Sequence, residues 1–388
     1  MTVRTAQRWE LERCLPVKRL PGPRSMVSVT LCELDAWKKS LVTATRPNAP
    51  LRLAIAVPAV LFPLALGAVY YLSLGRHTVH PASFRVDQNS LMVMDAKGRE
   101  LWRKSFSQPF RPEEYAATSS SLRRFWSGDI DGDGHDEVLF VQANAADHTS
   151  LLLCLSDRGV EKWHFRPGKA VSSGKESFPD RFAIRNFGVT PLGKGGAFGV
   201  VVTAAQVPDY PDQVALLSGT GRLLGEYWHS GWLEHVAISR NLIYLGGMNN
   251  GYRAATLVVL GVDGVAGASV EENPNYQIQG FSSAHEKARI LFPRSCINRK
   301  FEDYNFLTEM FVRPDSVTAT VAERRPPLVW GEVHYEFTND LKLRSSEFYD
   351  SLRSKHAELR AAGQLDHDLT AQEEANMAKI RVIRNDLK

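Results

Sequence analysis

Acidic residues at alternate positions form the most chemically specific pattern of the 388-residue chain. Within WSGDIDGDGHDEVLF, aspartates recur at every second position, and Glu137 follows at the start of an apolar stretch. Ca²⁺ takes six to eight oxygen ligands in flexible geometry, and glycines between the acids permit the sharp turn that such a loop needs. We therefore predict one calcium site whose ligands are the carboxylates of Asp129, Asp131, Asp133 and Glu137 and the main-chain carbonyl of His135.

The loop is not an EF-hand, because the glutamate at the twelfth position is missing and a strand follows in place of a helix. It resembles the calcium loops of FG-GAP and VCBS-type repeats, which occur in integrin-like β-propellers. The resemblance implies the same five ligands, with Asp136 as a less favoured one, and an ion that stiffens the loop without catalysing. Glu137 stands where the family commonly has aspartate. The alternative is an acidic turn that binds no metal.

Three similar hairpin patterns indicate a repeated β architecture. They are LMVMDAKGRELWRKSF, LLLCLSDRGVEKWHFRPG and VALLSGTGRLLGEYWHSG. Each joins an apolar strand, a polar turn and a second strand; the turns contain Gly98, Gly159 and Gly221, and the second strands end near Trp102, Trp163 and Trp228. A weaker fourth copy, TLVVLGVDGVAGAS, contains Gly264. Repeats of this size predict a complete or partial β-propeller over residues 77–340, with a β-sandwich as the alternative.

The end of the chain changes character. WGEVHYEFTNDLKL alternates like an edge strand, and residues 346–362 and 370–387 read as amphipathic helices, the second opened by the capping pattern TAQE. We therefore predict C-terminal helices over residues 341–388 that cap the β domain.

An uncharged apolar run, LAIAVPAVLFPLALGAVYYLSL, covers residues 53–74. A helix of about 20 such residues spans a bilayer, and basic residues concentrated before the run are expected to remain inside the cell. The run lies far from the start and lacks a small-residue cleavage site, which disfavours a signal peptide. The sequence predicts a transmembrane helix over residues 51–75, a single-pass membrane protein, and an extracytoplasmic location for the bulk of the chain.

Residues 1–50 form a basic cytoplasmic segment in this arrangement. Its stretches TVRTAQRWE, LPVKRLPGPRSMVSVT and ELDAWKKS resemble an excisionase-like winged helix-turn-helix domain, with a final helix beginning near Glu33. The resemblance implies a core position for Trp9 and DNA contacts by Thr5, Gln7, Arg8, Lys18, Arg19 and Arg24. The first helix of that family would precede Thr2, so the fragment is partial. A basic tail that only fixes topology is the alternative.

The sequence contains no nucleophile motif, phosphate-binding loop or histidine-rich metal pattern, so we do not expect an enzyme. The four cysteines match no dense disulfide framework, and pairing of Cys154 with Cys296 stays open. The fold class expected is mainly β, a propeller-like repeat domain with a helical cap, one transmembrane helix and a winged-helix fragment. The favoured function is a membrane-anchored sensory or adhesive module that binds a protein or glycan and carries Ca²⁺. The alternative is a transmembrane transcriptional regulator that binds DNA through residues 1–40.

Overall fold

A computed structural model describes residues 16, 18–19, 27–43, 80–115, 122–193, 197–208, 210–323 and 330–387. The chain divides into two compact units, Met1–His77 and Thr78–Lys388. In the first unit, β1 (Lys18–Arg19) pairs antiparallel with β2 (Val27–Ser28), and α1 (Leu31–Thr43) follows. Thr30 caps this helix, because the Glu33 amide donates to Thr30 Oγ1 and the Thr30 amide donates to Glu33 Oε2. The helix expected near Glu33 is present.

These elements do not add up to a winged helix-turn-helix domain. The described part of the first unit holds one pair of two-residue strands and a single helix, and the predicted recognition helix lies outside the described residues. The predicted winged-helix fragment is therefore not supported.

The prediction of a single-pass membrane protein is corrected. Within the ranges given above, no helix is long and apolar enough to cross a membrane. The longest helix among the described residues, α1, has 13 residues, which at 1.5 Å per residue is about 20 Å and falls short of a hydrocarbon core of about 30 Å. The apolar run 53–74 lies outside the described residues. The extracytoplasmic location that was predicted from this span is corrected with it.

The second unit contains five larger sheets, numbered I to V in chain order. Sheet I comprises β3 (Ser83–Asp87), β4 (Ser90–Met94) and β5 (Glu100–Ser105). Sheet II comprises β6 (Phe125–Gly128), β7 (Glu137–Ala143), β8 (Ser150–Leu155) and β9 (Glu161–Phe165). A short hairpin of β10 (Val171–Ser172) and β11 (Ser177–Phe178) follows. Neighbouring strands within each sheet follow one another along the chain and run antiparallel, so each sheet is a simple meander.

Sheets III to V continue this pattern with additions. Sheet III comprises β12 (Phe182–Pro191), β13 (Phe198–Gln206), β14 (Asp212–Ser218) and β15 (Leu223–His229). Sheet IV begins with β16 (Gly231–Ser239), β17 (Leu242–Asn249) and β18 (Ala254–Gly261). Strand β19 (Ala266–Ala268) then joins sheet III parallel to β15, and β20 (Ala288–Leu291) joins sheet IV. Sheet V comprises β21 (Phe306–Val312), β22 (Ser316–Ala322), β23 (Glu332–Thr338) and β24 (Leu343–Phe348).

Helices and one last strand complete the unit. The α-helices are α2 (Cys296–Lys300), α3 (Asp350–Ala361) and α4 (Ala371–Met377), and 3₁₀ turns lie at Pro112–Glu114, Val262–Gly264 and Pro274–Tyr276. The final strand, β25 (Arg381–Asn385), pairs with β20 in sheet IV.

Each sheet packs face to face on the next through its own apolar cluster. Alternate side chains of β13 enter opposite clusters: Val200 and Val202 face sheet II, whereas Val201 faces sheet IV. Since successive side chains of a strand point to opposite faces, burial of both faces requires a continuous apolar run. Strand β18, buried along its whole length, divides its residues in the same way between sheets III and V.

The prediction of a mainly β protein is confirmed, but a closed propeller is not found. The four clusters join sheet I to II, II to III, III to IV and IV to V. Among the described residues, no apolar cluster joins sheet V back to sheet I. The sheets form a series of blade-like layers.

The glycine turns of the three repeats are confirmed. Gly98, Gly159 and Gly221 have φ angles of 75°, 77° and 80°, the left-handed region that glycine adopts without strain, and a register shift follows each turn. The fourth copy is wrong. Gly264 lies in a 3₁₀ turn, and the strand after it pairs with β15, not with its own predecessor.

Tryptophans connect successive sheets at two of these turns. The ring of Trp102 on sheet I covers Gly159 of sheet II, where an added Cβ would lie 2.8 Å from Cε3. Trp163 of sheet II covers Gly221 of sheet III in the same way, and its Nε1 donates to the Gly219 carbonyl at 2.9 Å. The aromatic ends of the hairpins therefore dock one sheet onto the next.

The C-terminal region departs from its prediction. Strand β23 lies between β22 and β24, so it is an inner strand; its alternation reflects one buried face. The predicted helix 370–387 ends at Met377, and the next residues become β25, because β20 offers a free edge for pairing. Helix α3 occupies most of the range expected, and Thr370 and Glu373 form the predicted capping box of α4. Cys154 and Cys296 are both free, so the open question of their pairing is answered.

Candidate functional site

The acidic loop, residues 129–137, connects β6 to β7 and is shaped by its own backbone. Asp129 accepts hydrogen bonds from the amides of Gly132 and Gly134, at 2.7 and 2.9 Å. Both glycines have positive φ, 83° and 85°, which turns the loop back on itself. Glu137 begins β7 opposite Gly128, and its Oε2 accepts from the buried Ile130 amide at 3.0 Å. The predicted alternation therefore brings carboxylates to one side of a tight turn.

Most of the predicted ligands converge. Asp129, Asp131 and Glu137 each place one oxygen within 4.8 Å of the other two. Asp133 is connected to these three residues through an ion pair with Lys162. The His135 amide donates to Asp133 Oδ1 at 2.9 Å, and the His135 ring lies 3.7 Å from Asp157 Oδ2, outside the group. Asp136 turns away to His80, with 2.6 Å between Oδ2 and Nδ1.

A lysine from sheet II already places a positive charge among these carboxylates. Lys162, on β9, has its Nζ 2.6 Å from Asp131 Oδ2, 2.9 Å from Glu137 Oε1 and 3.1 Å from Asp133 Oδ2. Its side chain is 30% exposed, so it also reaches solvent. The ammonium group stands where the oxygens that would bind a cation come together.

The pKa values of the group reflect this arrangement. Burial raises the pKa of Glu137, although hydrogen bonds from Lys162 and Ile130 oppose the rise. Burial would lower the pKa of Lys162, but its hydrogen bonds to Asp131, Glu137 and Asp133 outweigh burial and raise it. The amide of His135 and then Lys162 lower the pKa of Asp133. Glu137 is thus a buried carboxylate whose charge is balanced by a nearby cation.

The donor set suits Ca²⁺ by its chemistry, since hard carboxylate oxygens are the ligands that Ca²⁺ prefers. The four carboxylates carry more negative charge than one ammonium balances. The flexible stem of Lys162 and its partial exposure allow the ammonium to leave for solvent. The carboxylates of this loop can therefore bind a calcium ion once the Lys162 ammonium has moved away from Asp131 and Glu137.

The predicted DNA contacts are not brought together by the described residues. Lys18 and Arg19 form β1, and Lys18 Nζ lies 2.9 Å from Glu33 Oε1, so its charge is partly balanced within the first unit. Thr5, Gln7, Arg8 and Arg24, and the predicted core residue Trp9, lie outside the described residues.

A second site, the aromatic pocket, lies where ends of sheets III, IV and V meet the β10–β11 hairpin. It is a cavity of about 350 Å³. Its lining consists of aromatic residues with a few polar groups: Lys175, Tyr210, Trp232, Met248, Asn250, Tyr276, Asp303, Tyr304 and Phe306. Ligand pockets have this composition, an apolar lining with few polar groups that orient the ligand.

Strand ends hold the aromatic rings in place. Trp232 near the start of β16 pairs with Met248 near the end of β17, and both belong to a small buried cluster. Tyr304 and Phe306 pack against that cluster at the start of β21. Tyr276 comes from a 3₁₀ turn whose cap is Asn273. Rings fixed in this way lose little entropy when a ligand covers them.

Cations lie over the faces of several pocket rings. Lys175 Nζ is 4.6 Å from the centre of the Tyr276 ring and 5.8 Å from that of Tyr210. The guanidinium carbon of Arg185 lies 4.6 Å from the centre of the Trp232 ring. These contacts stiffen the lining further, since a cation over a ring contributes about 0.5–2 kcal/mol.

Sequence reasoning missed Lys162 and the whole aromatic pocket. Lys162 lies 25 residues beyond Glu137, and only the pairing of β8 with β9 brings it to the loop. Pocket residues come from six separate stretches between Lys175 and Phe306 and share no spacing. One signal in the sequence could have indicated the pocket. Tyr210, Tyr276 and Tyr304 are aromatic residues within polar connecting segments, where exposed rings are not needed for solubility and often belong to a binding surface.

Comparison with known proteins does not assign a family, because no family profile and no curated protein matches the chain. Among solved structures, the chain is similar to the C-terminal domain of Pseudomonas aeruginosa PilY1, at 10% identity and a TM-score of 0.39, covering 76% of this chain and 60% of that one. It is also similar to a protein of unknown function from Bacteroides caccae, at 8% identity and a TM-score of 0.27, covering 70% and 95%. The chain thus spans 60% of the PilY1 domain, under two thirds. The mostly β fold of several sheets is supported. The predicted resemblance to FG-GAP or VCBS repeats is not supported by any family match.

Proposed function

We propose that this chain is a binding module and that the aromatic pocket is its ligand site, with a glycan as the ligand. The observation that carries the proposal is the convergence of Tyr210, Tyr276 and Tyr304 on one cavity, with Asn250 and Asp303 beside them. The apolar faces of sugar rings stack on aromatic rings, and sugar hydroxyls pair with amide and carboxylate groups, so this lining supplies both kinds of contact.

A larger cavity between sheets II and III is a weaker candidate. Its volume is about 420 Å³, but its central polar groups bond within the chain. Arg124 donates to the carbonyls of Ile184 and Arg185, and the Tyr115 hydroxyl donates to the Val141 carbonyl and accepts from the Ala143 amide. Polar groups already satisfied in this way serve to join two sheets.

Truncating a pocket aromatic should weaken glycan binding. We expect Tyr276→Ala and Tyr304→Ala each to lower affinity at least about tenfold, because removal of an aromatic anchor costs more than ~1.4 kcal/mol. The measurement is screening of the full chain on an array of defined oligosaccharides, followed by titration calorimetry with the best binder. Tyr349→Ala is the matched control, since Tyr349 is exposed and stacks on His334 of sheet V.

Unchanged sugar affinity in both pocket variants would show that the ligand binds elsewhere. The alternative ligand is a protein. This alternative would hold if the chain binds no sugar on the array, binds a peptide from a peptide library, and loses that peptide on Tyr276→Ala.

We further propose that the acidic loop binds Ca²⁺ in competition with Lys162 and that the ion stiffens the turn between β6 and β7. The support is the convergence of Asp129, Asp131 and Glu137 and the buried position of Glu137. In this arrangement Lys162 lowers the affinity for the ion, because one cation must leave before the other enters.

Calcium should raise the melting temperature of the protein, because a ligand that binds only the folded state adds stability, about 2.7 kcal/mol at a hundred times its Kd. We expect Asp131→Asn to abolish the rise. Lys162→Met keeps most of the stem and removes the competing charge, so it should lower the calcium concentration required. The measurement is thermal unfolding in calcium and in chelator. If the unfolding curves in calcium and in chelator are identical, both for the wild type and for Lys162→Met, the loop binds no metal.

A further inference from the structure

A cluster of metal-binding side chains lies among the C-terminal helices, far along the chain from the acidic loop. Cys296 begins α2, His356 lies in α3 and Glu373 lies in the first turn of α4. The Cys296 sulfur, a ring nitrogen of His356 and a carboxylate oxygen of Glu373 all lie within 4.8 Å of one another. Three helices thus contribute one ligand type each to a single point.

One ring nitrogen of the buried histidine in this cluster is unsatisfied. His356 is 1% exposed, and its Nε2 has no hydrogen-bond partner among the residues that the structure describes. A buried polar nitrogen without a partner is destabilising, so native proteins rarely leave one unsatisfied without a reason. An unmatched imidazole nitrogen beside a thiol and a carboxylate is explained by a metal ion that accepts its lone pair.

A second histidine, His367, lies beside the group. His367 Nε2 lies 3.0 Å from Glu373 Oε1, and the rings of His367 and His356 are 5.9 Å apart. The Nδ1 of His367 is 3.0 Å from Asp366 Oδ1. A carboxylate therefore orients the ring through the nitrogen that does not face the cluster, as is usual for metal-binding histidines. The His367 side chain is 49% exposed and gives a metal ion a path from solvent.

We propose that Cys296, His356, His367 and Glu373 form a structural zinc site. Zn²⁺ takes four ligands in tetrahedral geometry from thiolate, imidazole and carboxylate, and this set offers one, two and one of them. The thiol and the imidazoles favour Zn²⁺ over Ca²⁺ or Mg²⁺, which prefer oxygen. On binding, the thiol releases its proton to solvent and the sulfur ligates as thiolate.

A catalytic role for the cysteine does not fit the same geometry. Nucleophilic cysteines lie beside cationic groups or helix amides that stabilise the thiolate, in partly exposed surroundings. Burial and then the Glu373 carboxylate raise the pKa of the Cys296 thiol and outweigh the Ile297 amide of α2, so the thiol keeps its proton unless a further cation is present. A metal ion removes that conflict, since it attracts both anions.

The site would fasten the helices that precede and follow sheet V. Helix α2 comes before β21, whereas α3 and α4 come after β24 and pack Leu352, Leu359 and Met377 on the sheet. α3 and α4 have only 12 and 7 residues, too short for stability without packing. One ion bound by three helices would hold them against the sheet and position β25 for pairing with β20.

The test uses the purified full chain. We expect about one zinc per chain by elemental analysis, a rise in melting temperature when zinc is restored after chelation, and no rise with magnesium. Cobalt in place of zinc should give the visible absorption of a tetrahedral site and a thiolate charge-transfer band. Cys296→Ser should abolish that band and lower zinc affinity at least about tenfold. Cys32→Ser is the matched control, because Cys32 is exposed on α1, and it should leave the spectrum unchanged.

His367→Ala provides a variant that folds even if changes at buried His356 do not, since His367 lies at the exposed edge of the cluster. It should weaken zinc binding about tenfold or more while leaving the secondary structure intact. Asp131→Asn in the acidic loop should leave zinc content unchanged, which separates the two metal sites. A folded wild-type chain that holds no zinc, shows no cobalt spectrum and melts at the same temperature with and without zinc would overturn the proposal.

Discussion

Replacing Arg289 with methionine will lower the free energy of unfolding by about 3–5 kcal/mol, the range for removing one partner of a buried ion pair. Arg289 is 1% exposed on β20. Its Nε donates to Glu286 Oε2 at 2.8 Å, Nη2 donates to the other oxygen of Glu286, and Nη1 donates to the Val270 carbonyl at 2.9 Å. Glu271 lies 3.6 Å away. Without the guanidinium, two buried carboxylates lose their positive partner.

Urea denaturation measures this loss, and two further variants interpret it. Arg344→Met removes an exposed arginine paired with Glu336 and should change stability by no more than about 1 kcal/mol. Adding Glu286→Gln to Arg289→Met should recover part of the stability, because it removes one of the stranded charges. Equal effects of Arg289→Met and Arg344→Met would refute the role assigned to the buried pair.

Replacing Glu323 with glutamine will stabilise the protein above neutral pH and leave it unchanged in acid. Glu323 directly follows β22 and is fully buried. Its Oε2 accepts from the Ser295 amide at 3.1 Å, but Oε1 has no hydrogen-bond partner in the described part of the chain. Burial raises its pKa from 4.5 to about 7, against the opposing hydrogen bonds from Ser295. The folded protein therefore holds a proton on Glu323 through a pH range in which the unfolded chain has released it.

The sign of the pH effect follows from linkage. A raised pKa in the folded state contributes stability that is complete below pH 4.5 and is lost as pH rises towards 7, so the wild type is weaker at pH 8 by about 3 kcal/mol from this group. Glutamine keeps an acceptor for Ser295 and has no charge to bury. The free energy of unfolding should therefore rise at pH 8 and not at pH 4.5.

Glu309→Gln is the control for this experiment, since Glu309 is exposed on β21 and its carboxylate is solvated in both states. A Glu323→Gln protein that is no more stable than the wild type at pH 8 would show that water or a rearranged partner already solvates the carboxylate.

Local chemistry decided how much of the β architecture could be predicted. A hairpin turn is determined by a few consecutive residues, because only glycine adopts the left-handed conformation without strain; Gly98, Gly159 and Gly221 were therefore identified correctly. Gly264 has the same surroundings in the sequence, yet β19 finds a better partner in β15 than in β18. The length of an isolated apolar strand does not say which neighbour it will pair with.

Residue type and short spacing were enough to predict the mainly β class and the convergence of Asp129, Asp131 and Glu137. Only the packing of the sheets brings Lys162 to the acidic loop, residues of six stretches to one pocket, and Cys296 to His356 and Glu373. Those contacts join residues 25 to 131 positions apart, and their geometry exists only after the sheets have packed, since no local preference encodes which surfaces will meet.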